Sequence, residues 1–132
     1  MQHSKLSELP KVTFTVNGEP VAKARPRFGK NGHVYTPKRT KAYEEKVALF
    51  ATIARQQARA KSFTGPVGVS VTFYNKSKRH VDLDNQLKAV MDSMNKVLYD
   101  DDSQVMEIQV RRVVVTEDPR AEITVTQLNW EG

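Results

Sequence analysis

The chain has no cysteine, which excludes disulfide bridges and thiolate metal sites and is compatible with a reducing compartment. No apolar run approaches the ~18 residues of a membrane-spanning helix, and Met1 to Lys11 lack the apolar stretch of a secretory signal. There is no internal repeat and no low-complexity tract. A soluble, intracellular, cytoplasmic protein without a membrane partner is expected. The most telling scarcity is local: residues 1–81 contain no aspartate and 4 glutamates against 16 Lys/Arg, a formal charge of +12, whereas residues 82–132 hold 11 Asp/Glu against 5 Lys/Arg, a formal −6. The two halves sum to the +6 of the whole 132-residue chain. Such asymmetry points to a polyanionic partner, and the length fits one domain.

The pattern of apolar residues gives an element order. Val12-Thr13-Phe14-Thr15-Val16 alternates as a strand and ends at the turn signal Asn17-Gly18. Lys23 to Tyr35, with Asn31-Gly32 inside it, forms a basic hairpin or an exposed loop. Thr36-Pro37 fits a helix cap followed by proline in the first helical position. Tyr43, Val47, Phe50, Ala51, Ala54 and Ala58 then recur at helical spacing to about Lys61. Gly65-Pro66 breaks the chain, and Val67, Val69, Val71 and Phe73 alternate as a strand. After the basic run Lys76 to His80, a second helix carries Leu83, Leu87, Val90, Met91, Met94, Val97 and Leu98 on one arc of about 120°. Strands at Val105 to Thr116 and Ala121 to Leu128 close the chain. The expected fold is α+β, a single domain at 11–132 behind a flexible tail at 1–10. One mixed sheet of about four strands carries two main helices on one face.

The chemistry concentrates where the acids do. Asp82 and Asp84, alternate residues on an extended approach to the second helix, can both point at one hard cation. Magnesium is commonly held by one or two carboxylates with water and substrate phosphate. Lys88 stands one turn after Asp84 and can stabilise charge on a phosphoryl group. Asp82 and Asp84 also suit helix capping and the helix dipole. An Asp84–Lys88 ion pair would contribute only ~0.2–0.5 kcal/mol, and an aspartate triplet after a helix is often just a solvated loop.

The constellation Asp82-Leu83-Asp84-Asn85, Lys88, Asp92 and Asp101-Asp102-Ser103-Gln104-Val105 resembles the RusA family of Holliday junction resolvases. Gly18-x-Pro20, Lys23-Ala24-Arg25-Pro26-Arg27, Tyr35-Thr36-Pro37 and Tyr43-Glu44 extend the likeness over about residues 12–128. The resemblance implies cleavage of four-way DNA junctions by a homodimer that uses Mg2+, with Mn2+ as a substitute. It makes Asp82, Asp84 and Asp102 the metal-site carboxylates and Lys88 the catalytic lysine. The spacing between the two motifs is one residue shorter than in some members, which leaves Asp101 as the alternative to Asp102. Asp102, two residues before Gln104, is the expected ligand.

Two paired cuts need two sites, and a twofold dimer supplies them. If the second helix runs straight from Asp84 to Leu98, its ends lie ~21 Å apart, while residues 99–102 reach at most ~14 Å. Either the helix stops near Asn95 and the chain doubles back, or Asp102 completes the partner's site. Lys76, Lys78 and Arg79 are expected at the phosphates beside the cut, and Lys23, Arg25, Arg27, Lys30, Lys38, Arg39 and Lys41 along the DNA arms. Phe28 and Tyr35 have core packing as their first use and base stacking as their second, and of Arg111 and Arg112 only one can face the core. The competing readings are a non-catalytic branched-DNA-binding module and a metal nuclease acting on other branched or single-stranded DNA.

Overall fold

The computed structural model describes residues 10–24, 27–29, 32, 34–35, 37–76 and 82–129, with side chains at 27, 28, 34 and 35 left aside. Its order is β1 (Lys11–Asn17), β2 (Arg27–Phe28), β3 (Val34–Tyr35), α1 (Lys38–Gln57), β4 (Val67–Asn75), α2 (Leu83–Met94), a short 3-10 turn (Asp102–Gln104), β5 (Val105–Val114) and β6 (Arg120–Gln127). The four long strands form a mixed sheet in the order β1-β6-β4-β5, and β2 pairs with β3 as a separate small hairpin. This is the expected α+β domain.

Alternation decides which face is covered. Val12, Phe14 and Val16 of β1, Val67, Val69, Val71 and Phe73 of β4, and Ala121, Ile123 and Val125 of β6 are all buried. The two helices lie over that face, with Tyr43, Val47 and Ala51 from α1 and Val90 and Met94 from α2 in the same core. The opposite face is polar: Thr13 hydrogen-bonds Thr124, and Arg120 stacks on Tyr74, which donates to Glu122. Gly18 closes the turn after β1 with φ +100°, a conformation that costs glycine little and other residues much.

α1 begins one residue later than expected. Pro37, not Thr36, occupies the cap position and offers no side-chain bond. The helix stops at Gln57, short of Lys61, because Arg59 turns left-handed at φ 55° and Ala60 N–H returns to the Arg55 carbonyl.

Antiparallel β6 lies between β1 and β4, while β4 and β5 run parallel with α2 as their crossover. Gln86 near the start of α2 bonds Asn75 at the end of β4. At the other end, the Leu98 carbonyl accepts from Phe63 N–H, just before β4. α2 therefore runs antiparallel to β4, with its first residues at the sheet end marked by Asn75 and Val114. No helix of the described residues is long and apolar enough to cross a membrane.

Candidate active site

Asp82 adopts extended backbone angles and caps α2, its Oδ1 accepting from Asp84 N–H at 3.0 Å. Asp84 is not on the extended approach but already inside the first helical turn. Its negative charge is favoured there because the helix dipole leaves partial positive charge at that end. Asp84, Asn85, Lys88 and Asp92 are all exposed, one edge of the helix. No ion pair joins Lys88 to Asp84 or to any other described carboxylate, so the lysine's ammonium is open to a ligand.

Behind this edge lies a polar chain that the sequence reading missed. Arg112 donates through Nε and a terminal nitrogen to Gln86 Oε1 (3.2 and 3.0 Å), and Gln86 Nε2 donates to Asn75 Oδ1 (3.2 Å). Asn75 Nδ2 in turn donates to Glu19 (2.9 Å), whose other oxygen accepts from Lys76 N–H. Gln86 is fully buried and Asn75 2% exposed, so each needs its partners. The network ties the first turn of α2 to the ends of β4 and β5. It also settles the paired arginines, with Arg112 inward and Arg111 exposed. The signal available in the sequence was polar Gln86 on the otherwise apolar side of the helix.

Lys23 has a specific structural position. Its backbone N–H donates to the Asn85 carbonyl, and its ammonium lies 2.6 Å from Glu44 and 3.2 Å from Asp92. Burial works against the charge, and the two carboxylates outweigh it, raising the lysine's pKa. Lys23 thus clamps the loop after β1 to both helices, and its ammonium is already engaged within the chain. Lys38, Arg39, Lys41 and Lys76 are exposed as expected. Arg25, Lys30, Lys78 and Arg79 lie outside the described residues, as do His33 and His80, and so do the side chains of Arg27, Phe28 and Tyr35.

The second acidic motif is rigid and remote. α2 ends at Met94, where Asn95 turns extended (ψ 129°) and Lys96 becomes left-handed (φ 68°). Leu98 and Tyr99 then drop into the core, both at 0% exposure. Asp101 caps the 3-10 turn by accepting from Ser103, a bond that holds its pKa down. Gln104 Oε1 accepts from Asp100 and Asp101 N–H, and Nε2 donates to the Phe63 and Gly65 carbonyls at 2.8 and 2.9 Å. Asp101 is therefore occupied as a cap, while exposed Asp102 accepts no side-chain bond from the described residues. Replacing Gln104 with alanine removes four hydrogen bonds. It is expected to cost about 2–3 kcal/mol, read as a lower urea midpoint with an unchanged slope.

Asp102 does not join Asp82 and Asp84 within the chain. The Tyr99 hydroxyl donates to the Met91 carbonyl, and its pKa is raised by burial and then by the charges of Asp102 and Asp92. This puts Asp102 beside the last turns of α2, whereas Asp84 sits ~12 Å further down the axis from Asp92. β5, which Asp102 precedes, starts opposite Val67, at the far end of β4 from Asn75. Among the described residues no three His, Cys, Asp or Glu side chains gather as a metal site. The doubling back at Asn95 occurs, but it does not close the gap.

The family model for Endodeoxyribonuclease RusA matches residues 17–126, which include both acidic motifs and the clamp at Lys23. The chain belongs to the RusA family. Family membership makes it a nuclease. It is 32% identical to the uncharacterised protein YqaN of Bacillus subtilis (strain 168), over 89% of this chain and 97% of that protein. It is 34% identical to the crossover junction endodeoxyribonuclease RusA of Escherichia coli (strain K12) over 67 residues, 50% of this chain and 56% of that enzyme. The RusA of Enterobacteria phage 82 matches to the same extent. The RusA pattern thus falls on the exposed edge of α2 and on the pinned turn before β5.

Proposed function

We propose that this protein is a metal-dependent endodeoxyribonuclease that resolves four-way DNA junctions by paired symmetric cuts as a homodimer, in the cytoplasm of a bacterium or of a phage-infected cell. The observation that carries the reading is the exposed edge of α2, with Asp82 and Asp84 at its start and, one turn on, Lys88 with no ion pair among the described residues, set in a protein of net charge +6. Family membership supports the nuclease part.

The donors at the helix start suit magnesium, with manganese as a substitute: hard carboxylate oxygens, two from the chain, with room for water and phosphate. When bound, such an ion polarises the scissile phosphate and stabilises charge developing on it. The capping bond uses Asp82 Oδ1 and leaves Oδ2 available. Lys88 holds a non-bridging phosphate oxygen as negative charge builds. Asp102 contributes from the partner subunit, since the fold keeps it at the other end of α2. A dimer with twofold symmetry then contains two such sites, one for each cut.

Lys38, Arg39 and Lys76 position the duplex by its phosphates, without reading sequence, and Arg25, Arg27, Lys30, Lys78 and Arg79 join them in this assignment. Replacing Lys38 and Arg39 together with alanine is expected to flatten the dependence of log K on log salt by about 2. Cleavage at saturating enzyme should stay unchanged; a slope equal to wild type places these two residues away from DNA.

The deciding experiment is cleavage of a synthetic four-way junction with magnesium, beside flap, single-stranded and plain duplex substrates and a metal-free control. Paired symmetric nicks on the junction, lost without metal, are the expected result. Binding without nicks in either magnesium or manganese would leave a junction-binding module, and preference for a flap or a single strand would move the substrate.

A further inference from the structure

β1 is one edge of the main sheet: among the described residues it pairs with β6 and has no strand on its other side. The Pro10 carbonyl accepts from Gln127 N–H, and Gly18 N–H donates to the Pro119 carbonyl. Backbone groups alternate in direction along an antiparallel strand, so Val12, Phe14 and Val16 are the residues bonded to β6. Lys11, Thr13, Thr15 and Asn17 therefore turn their N–H and C=O groups outward. Lys46 covers the Asn17 carbonyl, while those groups of Thr13 and Thr15 meet no partner among the described residues. Proteins normally blunt such an edge with charge, proline or a covering element, and here only the Asn17 end is blunted.

A groove of about 360 Å3 opens beside these groups, between β1 and α1. Phe14, Phe50, Ile53 and Ala54 line it, and Leu49 stands one turn before Ile53. Leu49 and Ile53 are 56% and 41% exposed, on a helix whose inner face is already in the core. Unpaired strand groups beside an apolar slot suit an added strand. Main-chain bonds then give affinity, and alternate side chains enter the slot.

Charge selects the occupant. Lys46 stands at one end of the groove, its ammonium 5.8 Å from the centre of the Phe50 ring. Exposed Lys11 marks the other end, ~20 Å away along the strand. Glu45, next to Lys46, projects about 100° further round the helix. A second copy fits poorly. Two β1 strands paired antiparallel about Phe14 bring Lys11 of one copy to the Asn17 end of the other, where Lys46 stands, and like charges oppose that pairing. A nucleotide chain answers the lysines but has no alternating N–H and C=O groups to meet those of Thr13 and Thr15.

We infer that the β1 edge and this groove bind an extended acidic peptide segment of another protein, about six residues long. Its apolar side chains alternate, and its carboxylates sit near the two lysines. The site lies on the opposite edge of the sheet from β5. It stands apart from the nuclease reading, since none of its residues belongs to the acidic motifs.

The test is selection of a random-peptide display library against the full chain. Enriched peptides are then synthesised with a fluorescent label and titrated with wild type, Lys46→Glu, Ile53→Glu and Ile53→Gln. Enriched sequences are expected to alternate apolar residues and to carry Asp or Glu, and both glutamate variants to weaken binding by about 10-fold or more. Ile53→Gln, uncharged and a good helix former, covers the case in which a glutamate disturbs folding; circular dichroism checks each variant. The bound peptide should also slow hydrogen exchange at the Thr13 and Thr15 amides, which a purely apolar contact would not do. No enriched peptide, or peptides that bind the folded variants as tightly as wild type, would overturn the inference. So would an Ile53→Glu variant that instead loses self-association or junction binding, because the groove would then belong to a second copy or to DNA.

Discussion

A heterodimer of one Asp84→Asn subunit and one Asp102→Asn subunit is expected to nick a four-way junction, although each homodimeric variant is inactive. If Asp84 of one subunit works with Asp102 of its partner, the mixed dimer has one site with both changes and one with neither. It should therefore cut one strand and fail to make the symmetric second cut. If each site were built within a chain, both sites would carry one change and no nick would form. The proposed trans arrangement rests on where the two acidic groups stand along α2. Asp102 sits beside the last turns of α2, and Asp84 is ~12 Å along the helix axis from Asp92 in those turns. Gln104 holds the acidic turn to the Phe63 and Gly65 carbonyls, bonds that a movement of the turn toward Asp84 would have to break. Verified heterodimers that show no nicks would return Asp102 to its own chain or remove it from the site.

Asp82→Asn is expected to lower junction cleavage by ~10³-fold, because losing several kcal/mol of charge stabilisation costs tenfold per ~1.4 kcal/mol. Asparagine is chosen because Asp82 has a second task. Its side chain caps α2 by accepting from Asp84 N–H, and asparagine caps as well as aspartate, whereas alanine costs ~1 kcal/mol. The asparagine variant should thus melt like wild type and still bind a junction while failing to cut. The alanine variant should lose both stability and cleavage. Cleavage within tenfold of wild type by the asparagine variant would reduce Asp82 to a structural cap.

Several elements were legible because one local signal governs each. Alternation in Val12 to Val16 and Val67 to Phe73 marked two strands and the faces they bury. The helical spacing of Tyr43, Val47 and Ala51 marked α1, and Asn17-Gly18 marked the turn after β1. The acids and Lys88 were found from their placement in a basic chain. The end of α2 was not legible: Val97 and Leu98 keep the helical period, yet the chain breaks at Asn95, and Leu98 and Tyr99 are buried beside Phe63 in place of one more helical turn. Lys23 read as one of a basic run, and its ion pairs with Glu44 and Asp92 join residues 21 and 69 positions apart.

What the sequence determined by itself was therefore local or compositional: the single α+β domain, the strands, the basic surface and the acid edge of α2. Those follow from side-chain periodicity and charge, which act over a few residues. Tertiary structure alone decided that Arg112 rather than Arg111 turns inward, that Asp101 is spent as a cap while Asp102 stays open, and that Asp102 lies at the far end of α2 from Asp84. These depend on strand register and on where a helix stops, and both are set by packing between segments distant in the chain.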